Sequence, residues 1–341
     1  QGSDPKPFYI SFAENDNPQS GFVDSAPNPR FSHGYFQLRN RFGMLVETHS
    51  WKDYPTRVRI TRNTIVSLLS QVAQHGAQWR QTALEADARA AQMAGSTLPL
   101  TYKTTEKSRM IAFRGYAYTR TPSEVSGALM TRYDEKTPQI WNVPLRDEIV
   151  PDLQVAAPKA GYLVPCAQAK MVGAKLRQHG IAYNEMTGFL SRQNVEIFRA
   201  TQVKFGAQSF EGRQTAAVQG EWQKAVRLVD SCVLYVPVNQ PKARLVVALL
   251  EPRAPDSLLA WGSFNTAFER KEYMEDYVAE DVARAQLAAD PALAAQFRQK
   301  LADEPEFAKN PRARLEFFAR RHALNLYPVM RVDVAPVSFM D

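Results

Sequence analysis

Apolar positions recur in different rhythms along this chain, and each rhythm predicts its own kind of element. Residues 1–40 carry no sustained period. Pro18, Pro27 and Pro29, with Gly21, punctuate them and predict loop, with GYFQLRN (34–40) reading as a short helix. Residues 42–46, FGMLV, then form an apolar run of strand length with no polar face. That pattern belongs to a central strand, often parallel, covered on both sides. From Thr61 the period changes to that of a helix: Ile65, Leu68, Leu69, Val72, Ala73 and Ala77 share one face. Thr61 or Asn63 is placed to cap its start, the Ala-rich stretch beyond residue 83 continues it, and Gly95 stops it, with His75-Gly76 as a break point.

After Pro99 the texture becomes that of β structure. MIAFRGYAYTR (110–120), ALMTRYD (128–134) and QIWNVPL (139–145) alternate or carry aromatics between turn residues. Pro144, Pro151, Pro158 and Pro165 predict an extended connection. AGYLVP (160–165), followed by CAQAKMVGAKLRQHGIAYNEM (166–186), reads as strand, helix, glycine stop and strand, an α/β unit. VEIFRATQVKFG (195–206) and AVRLVDSCVLYVPV (225–238) add strands. ARLVVALLEP (243–252) reads as a short apolar helix or strand ended by Pro252. The remainder is helical by period, over 267–288, 291–302 and 311–324, the last two opening on proline. The fold class expected is α/β, with a domain boundary between Gly95 and Pro99 that gives domains 1–96 and 97–341.

The length of 341 residues supports two domains, and 45% hydrophobic with 23% charged residues is the composition of an ordinary globular chain. No apolar run is long enough to span a bilayer, and the first residues lack the basic-then-apolar order of a signal peptide. The net charge of +7 arises from 42 basic and 35 acidic residues. The arginines are spread from Arg30 to Arg331 with no long basic block, and RVRITR (57–62) is the densest patch, so no nucleic-acid footprint is expected. Cys166 and Cys232 lack CxxC spacing and either pair in an exported protein or remain two buried thiols.

Glu47 is the candidate for chemistry. It ends the apolar run, where in an open α/β sheet a ligand binds, and an apolar setting raises a carboxyl group's proton affinity. The plain structural reading is a strand-end carboxylate paired with Arg57 or Arg59. The stretch from Pro29 to Leu69, PRFSHGYFQLRNRFGMLVETHSWKDYPTRVRITRNTIVSLL, resembles the closing segment of a zinc carboxypeptidase catalytic domain. It is most similar to a bacterial branch with RxSxGYxxLRNRxxLLVETH, matched by Arg30, Ser32, Gly34, Tyr35, Leu38 to Arg41, and Leu45 to His49. The rest, through AWGSFNTAFERKEYMEDYV to NLYPVMRV, resembles the C-terminal extension of the same branch. The resemblance implies a partial carboxypeptidase-like sheet edge with its long helix, then a mixed α/β domain with a helical C-terminus. It implies zinc-dependent release of C-terminal residues from peptides, with Glu47 as the general base acting on a metal-bound water.

The ligands of that zinc do not transfer. The family uses a His-x-x-Glu pair and a distant histidine, all before the glutamate, and none of His33, His49, His75, His179 and His322 has Glu three residues later. The chain therefore looks like the C-terminal portion of the enzyme, with the zinc-binding segment upstream in the same protein as its partner. Exported relatives point to the periplasm or outside. The alternative function is a non-enzymatic folding, binding or targeting module in which Glu47 is a relic. Other chemistries have less behind them. His33, Glu47 and His49 form a conceivable two-His, one-carboxylate metal set. His179 suits a helix C-terminus, where an imidazolium is favoured. G-x-S-x-G, G-x-G-x-x-G and Walker A sequences do not occur. The aromatic-rich stretch from Asp256 to Tyr277 reads as core.

Overall fold

Two devices that the opening of the sequence contains decide where the first long element begins. In a computed structural model describing residues 11–48, 50, 52–187, 191–229, 232–269, 273–322 and 326–336, the helix starts at Tyr54 instead of Thr61. The Asp53 carboxylate accepts from Thr56 N at 3.3 Å and its carbonyl from Arg57 N at 3.1 Å, so Asp53 caps the helix. Hydrogen bonding from the Thr56 side chain, with its backbone N–H adding less, holds the Asp53 carboxyl below the usual carboxylate range. Pro55 sits in the first turn, where a missing N–H costs nothing. The helix then runs unbroken through His75-Gly76 to Ala90.

The chain falls into two compact units, residues 1–90 with 97–156, and residues 91–96 with 157–341. The β-rich stretch after Pro99, assigned to the second domain on sequence, thus clusters with the residues before it. The first unit contains β1 (Ser11–Phe12), β2 (Phe22–Val23), α1 (Ser32–Leu38), α2 (Tyr54–Ala90), β3 (Thr97–Pro99), β4 (Tyr102–Thr104), β5 (Arg109–Pro122), β6 (Leu129–Arg146), β7 (Ile149–Pro151) and β8 (Gln154–Ala156). β5 and β6 form a long antiparallel hairpin, with a register shift between Tyr116 and Ala117. β2 joins β6 in parallel through Phe22↔Leu145, giving the order β1-β2-β6-β5. One face of the hairpin packs Trp141, Val143 and Leu145 with Phe22, Phe12 and Phe113 into a small aromatic core. Gly115 is needed there, because a Cβ would overlap the Trp141 indole. The proline-spaced connection is ordered: β7 pairs with β4 and β8 with β3.

The run at 42–46 is where expectation and structure part. Among the described residues it forms no strand and pairs with none; it is extended and open, with Phe42 62% and Met44 59% exposed. A strand apolar on both faces is stable only between neighbouring strands and under helices, and the described residues supply α2 at Phe42 and α1 at Gly43 but no neighbouring strand.

The second unit contains β9 (Gly161–Pro165), α3 (Cys166–His179), β10 (Asn184–Thr187), β11 (Ser191–Phe205), β12 (Ala216–Val229), β13 (Cys232–Pro237), α4 (Ala243–Leu250), α5 (Asp276–Ala289), α6 (Pro291–Asp303), α7 (Pro305–Ala308), α8 (Pro311–His322) and β14 (Met330–Val332). Its sheet runs β10-β13-β9-β14-β11-β12, with every pairing antiparallel. α3 ends on Gly180 at φ 60°, the left-handed cap that its glycine announces. The apolar stretch at 243 is the helix α4, most of whose residues are buried, and it stops before Glu251. α5 begins later than its sequence period suggests, at Asp276. α5, α6 and α8 close over Ala283, Leu293 and Phe318, with Phe297 and Phe317 packed against them. Cys166 and Cys232 form a disulfide with Cα atoms 4.9 Å apart, which decides between the two open readings of the cysteines.

Candidate functional site

Glu47 lies on an extended segment that α2 holds by its ends. Arg41 makes a bidentate ion pair with Asp87, Nη1–Oδ1 2.9 Å and Nη2–Oδ2 2.8 Å, and Asn40 Nδ2 adds a third donor to the same carboxylate at 3.1 Å. Hydrogen bonding by Asp87 holds the Arg41 guanidinium more firmly protonated than usual. Phe42 meets the Trp79 ring at 5.6 Å, and Arg57 Nε donates to Thr48 Oγ1 at 3.4 Å. The segment therefore runs back along α2, from Asp87 toward Arg57, and carries Glu47 to the N-terminal half of the helix. Further along, Lys52 pairs with Glu135 at 2.5 Å and lies 5.7 Å from the Tyr116 ring.

The carboxylate of Glu47 is exposed, not held in a dry pocket, and among the described residues it forms no ion pair with Arg57 or Arg59. Beside it, Thr48, Arg57, Val58, Arg62, Ile65 and Val66 line a groove of about 440 Å³. α2 presents to this side a broad apolar face, with Ile65 53% and Leu69 61% exposed and Val58, Leu68 and Val72 also open. One extended segment cannot cover a face that wide.

Among the described residues the histidines do not gather. His33 sits in α1, where its backbone approaches Gly43 and its Nδ1 is buried without a hydrogen-bond partner. His75 stacks on Trp79 at 6.2 Å, and His179 ends α3. His49 lies outside the described residues. Among the described residues no group of three or more His, Cys, Asp or Glu is placed to hold a metal ion, so they do not fit zinc by themselves. No described helix is long and apolar enough to cross a membrane.

A second carboxylate escaped the sequence reading. Glu251 is fully buried, and Oε1 accepts from Tyr162 Oη at 2.6 Å and Arg331 Nε at 2.9 Å. Trp222 Nε1 reaches Oε2 at 3.2 Å, and Arg331 Nη2 stands 2.6 Å from Oε1 as a charge contact without hydrogen-bond alignment. The guanidinium also lies over the Trp222 ring, 4.3 Å from its centroid. Burial first, and then the charge of Glu251, pushes the Tyr162 and Tyr327 phenols well above their ordinary range. A fully enclosed, paired carboxylate of this kind ties β9, β12, α4 and β14 together and offers nothing to a substrate. The signal was available: an aliphatic run ends in glutamate at LVE (45–47) and again at LLE (249–251). No family model, no curated protein and no solved structure matches this chain.

Proposed function

We propose that this chain supplies the general base, Glu47, of a zinc-dependent metallocarboxypeptidase whose metal ligands come from an upstream segment of the same protein. The observation that carries the reading is the open layer at the site. An apolar extended segment, tied to α2 by Arg41 and Phe42, leaves both its own edge and the apolar face of α2 uncovered, with Glu47 at its end. Further strands laid against residues 42–46 would bury Val58, Ile65, Leu69 and Val72 and bring Glu47 to a sheet edge, where ligands of α/β sheets bind. There an ionised carboxylate accepts a proton from an attacking water. The substrate class is a peptide with a free C-terminus. The disulfide supports export, since such bonds persist in oxidising compartments. The test is to express this chain joined to its upstream segment and measure release of C-terminal amino acids. Release that depends on Glu47 supports the proposal; a soluble, zinc-loaded protein with no such release favours the non-enzymatic module.

A further inference from the structure

Cys166 is exposed and is the first residue of α3, whereas Cys232 opens β13 and is partly buried. Pro165, at the N-cap, gives α3 no side-chain cap, so its first N–H groups are not occupied by one. α3 carries no acidic residue, and Lys170 lies one turn on from Cys166. These features favour a thiolate at position 166. The surrounding structure has other ties besides the bond: Val172 and Leu176 of α3 are buried, and β13 pairs with β9 from Val233↔Pro165 to Pro237↔Gly161.

We propose that Cys166–Cys232 is a thiol–disulfide exchange site, opened by a dithiol reductant through attack on the sulfur of Cys166, the more exposed residue of the pair. In the first step the reductant's thiolate bonds to Cys166 Sγ. The Cys166–Cys232 bond breaks, and Cys232 leaves as a thiolate that takes up a proton. In the second step the reductant's other thiolate attacks its own sulfur in the mixed disulfide. Cys166 departs as a thiolate favoured by the helix terminus, and the reductant leaves as a disulfide. Two electrons pass to the protein, and its two cysteines end as thiol and thiolate. In the reverse direction the Cys166 thiolate is the nucleophile.

The test uses the folded protein in glutathione buffers of varied reduced-to-oxidised ratio, quenched with acid, alkylated and weighed by mass spectrometry. With no other cysteine in the chain, the readout is unambiguous. The bond is expected to reach half-reduction inside the glutathione range with far-UV dichroism unchanged, and a thioredoxin-type dithiol is expected to speed the approach. A bond that stays oxidised at every ratio until the protein is unfolded overturns the proposal. Cys232→Ala should form a mixed disulfide with oxidised glutathione at least about tenfold faster than Cys166→Ala does. Equal rates refute attack at Cys166. If either variant loses its fold, wild-type protein quenched part-way decides: a glutathione adduct on the peptide bearing Cys166 supports the assignment, and one on Cys232 overturns it.

Discussion

Replacing Glu251 by glutamine tests how the second unit is held together. The amide keeps the size of the carboxylate, so packing is nearly unchanged, and its one oxygen can still accept from Tyr162 while its NH2 then faces the Trp222 N–H. It removes the charge facing Arg331, whose side chain is 7% exposed and whose other carboxylate neighbour, Glu196, is 3.7 Å away. Breaking a buried pair by removing one partner costs about 3–5 kcal/mol. The glutamine retains some hydrogen bonds and Glu196 remains, so the lower end, about 3 kcal/mol, applies. For a unit of this size that lowers Tm by roughly 6–12 °C. Thermal and urea unfolding followed by far-UV dichroism measure it, with Glu251→Gln, Arg331→Met and the double variant as a cycle. The double variant should lie closer to wild type than the sum of the single losses. A loss under about 1 kcal/mol for Glu251→Gln, or strict additivity in the cycle, refutes the tie.

Three further outcomes follow from other parts of the molecule. Gly115→Ala forces a methyl group into the Trp141 ring and should destabilise the hairpin core by about 1–3 kcal/mol, read from Trp fluorescence in urea; a neutral result means the indole moves freely. Burial, and then the charge of Asp16, pushes the Tyr133 phenol up to about 12 from 10.0, a stabilisation fully present below the ordinary value and lost as pH rises through the raised one. Spectrophotometric titration of wild type against Tyr133→Phe should therefore lose one late-titrating phenol, and losing one that titrates normally contradicts this. Dialysed protein should hold no tightly bound zinc by elemental analysis, because a stable site needs three or four protein ligands; about one zinc per chain would revive the set of His33, Glu47 and His49.

Much of the second unit was legible because its signals are local. Gly180 ends α3, and Pro291 and Pro311 open α6 and α8 at the positions their sequence suggests. The start of α2 was legible too, in Asp53 and Pro55, but the apolar period beginning at Ile65 drew the boundary toward Thr61. Residues 42–46 show what a local pattern leaves open. An apolar run states that burial is needed, not what provides it, and here the described residues provide α2 and, at Gly43, α1, but no neighbouring strand. The two glutamates make the same point. LVE and LLE are alike in sequence, yet Glu47 stands in solvent while Glu251 is enclosed by Tyr162, Trp222 and Arg331. Those partners lie far away along the chain, and no short-range spacing announces them. The disulfide likewise rests on tertiary proximity of α3 and β13, which spacing alone did not determine.

The central claim is that Glu47 is the base of a peptidase, and one comparison reaches it directly. In a chain extended by its upstream segment, wild type and Glu47→Gln are brought to equal zinc content and assayed for release of C-terminal amino acids from a peptide. The amide is nearly isosteric but cannot take a proton from water, so fold and metal content should be unchanged while turnover falls about 10²–10⁴-fold. Near-normal turnover by the variant at equal zinc content would contradict the assignment and remove Glu47 from the chemistry.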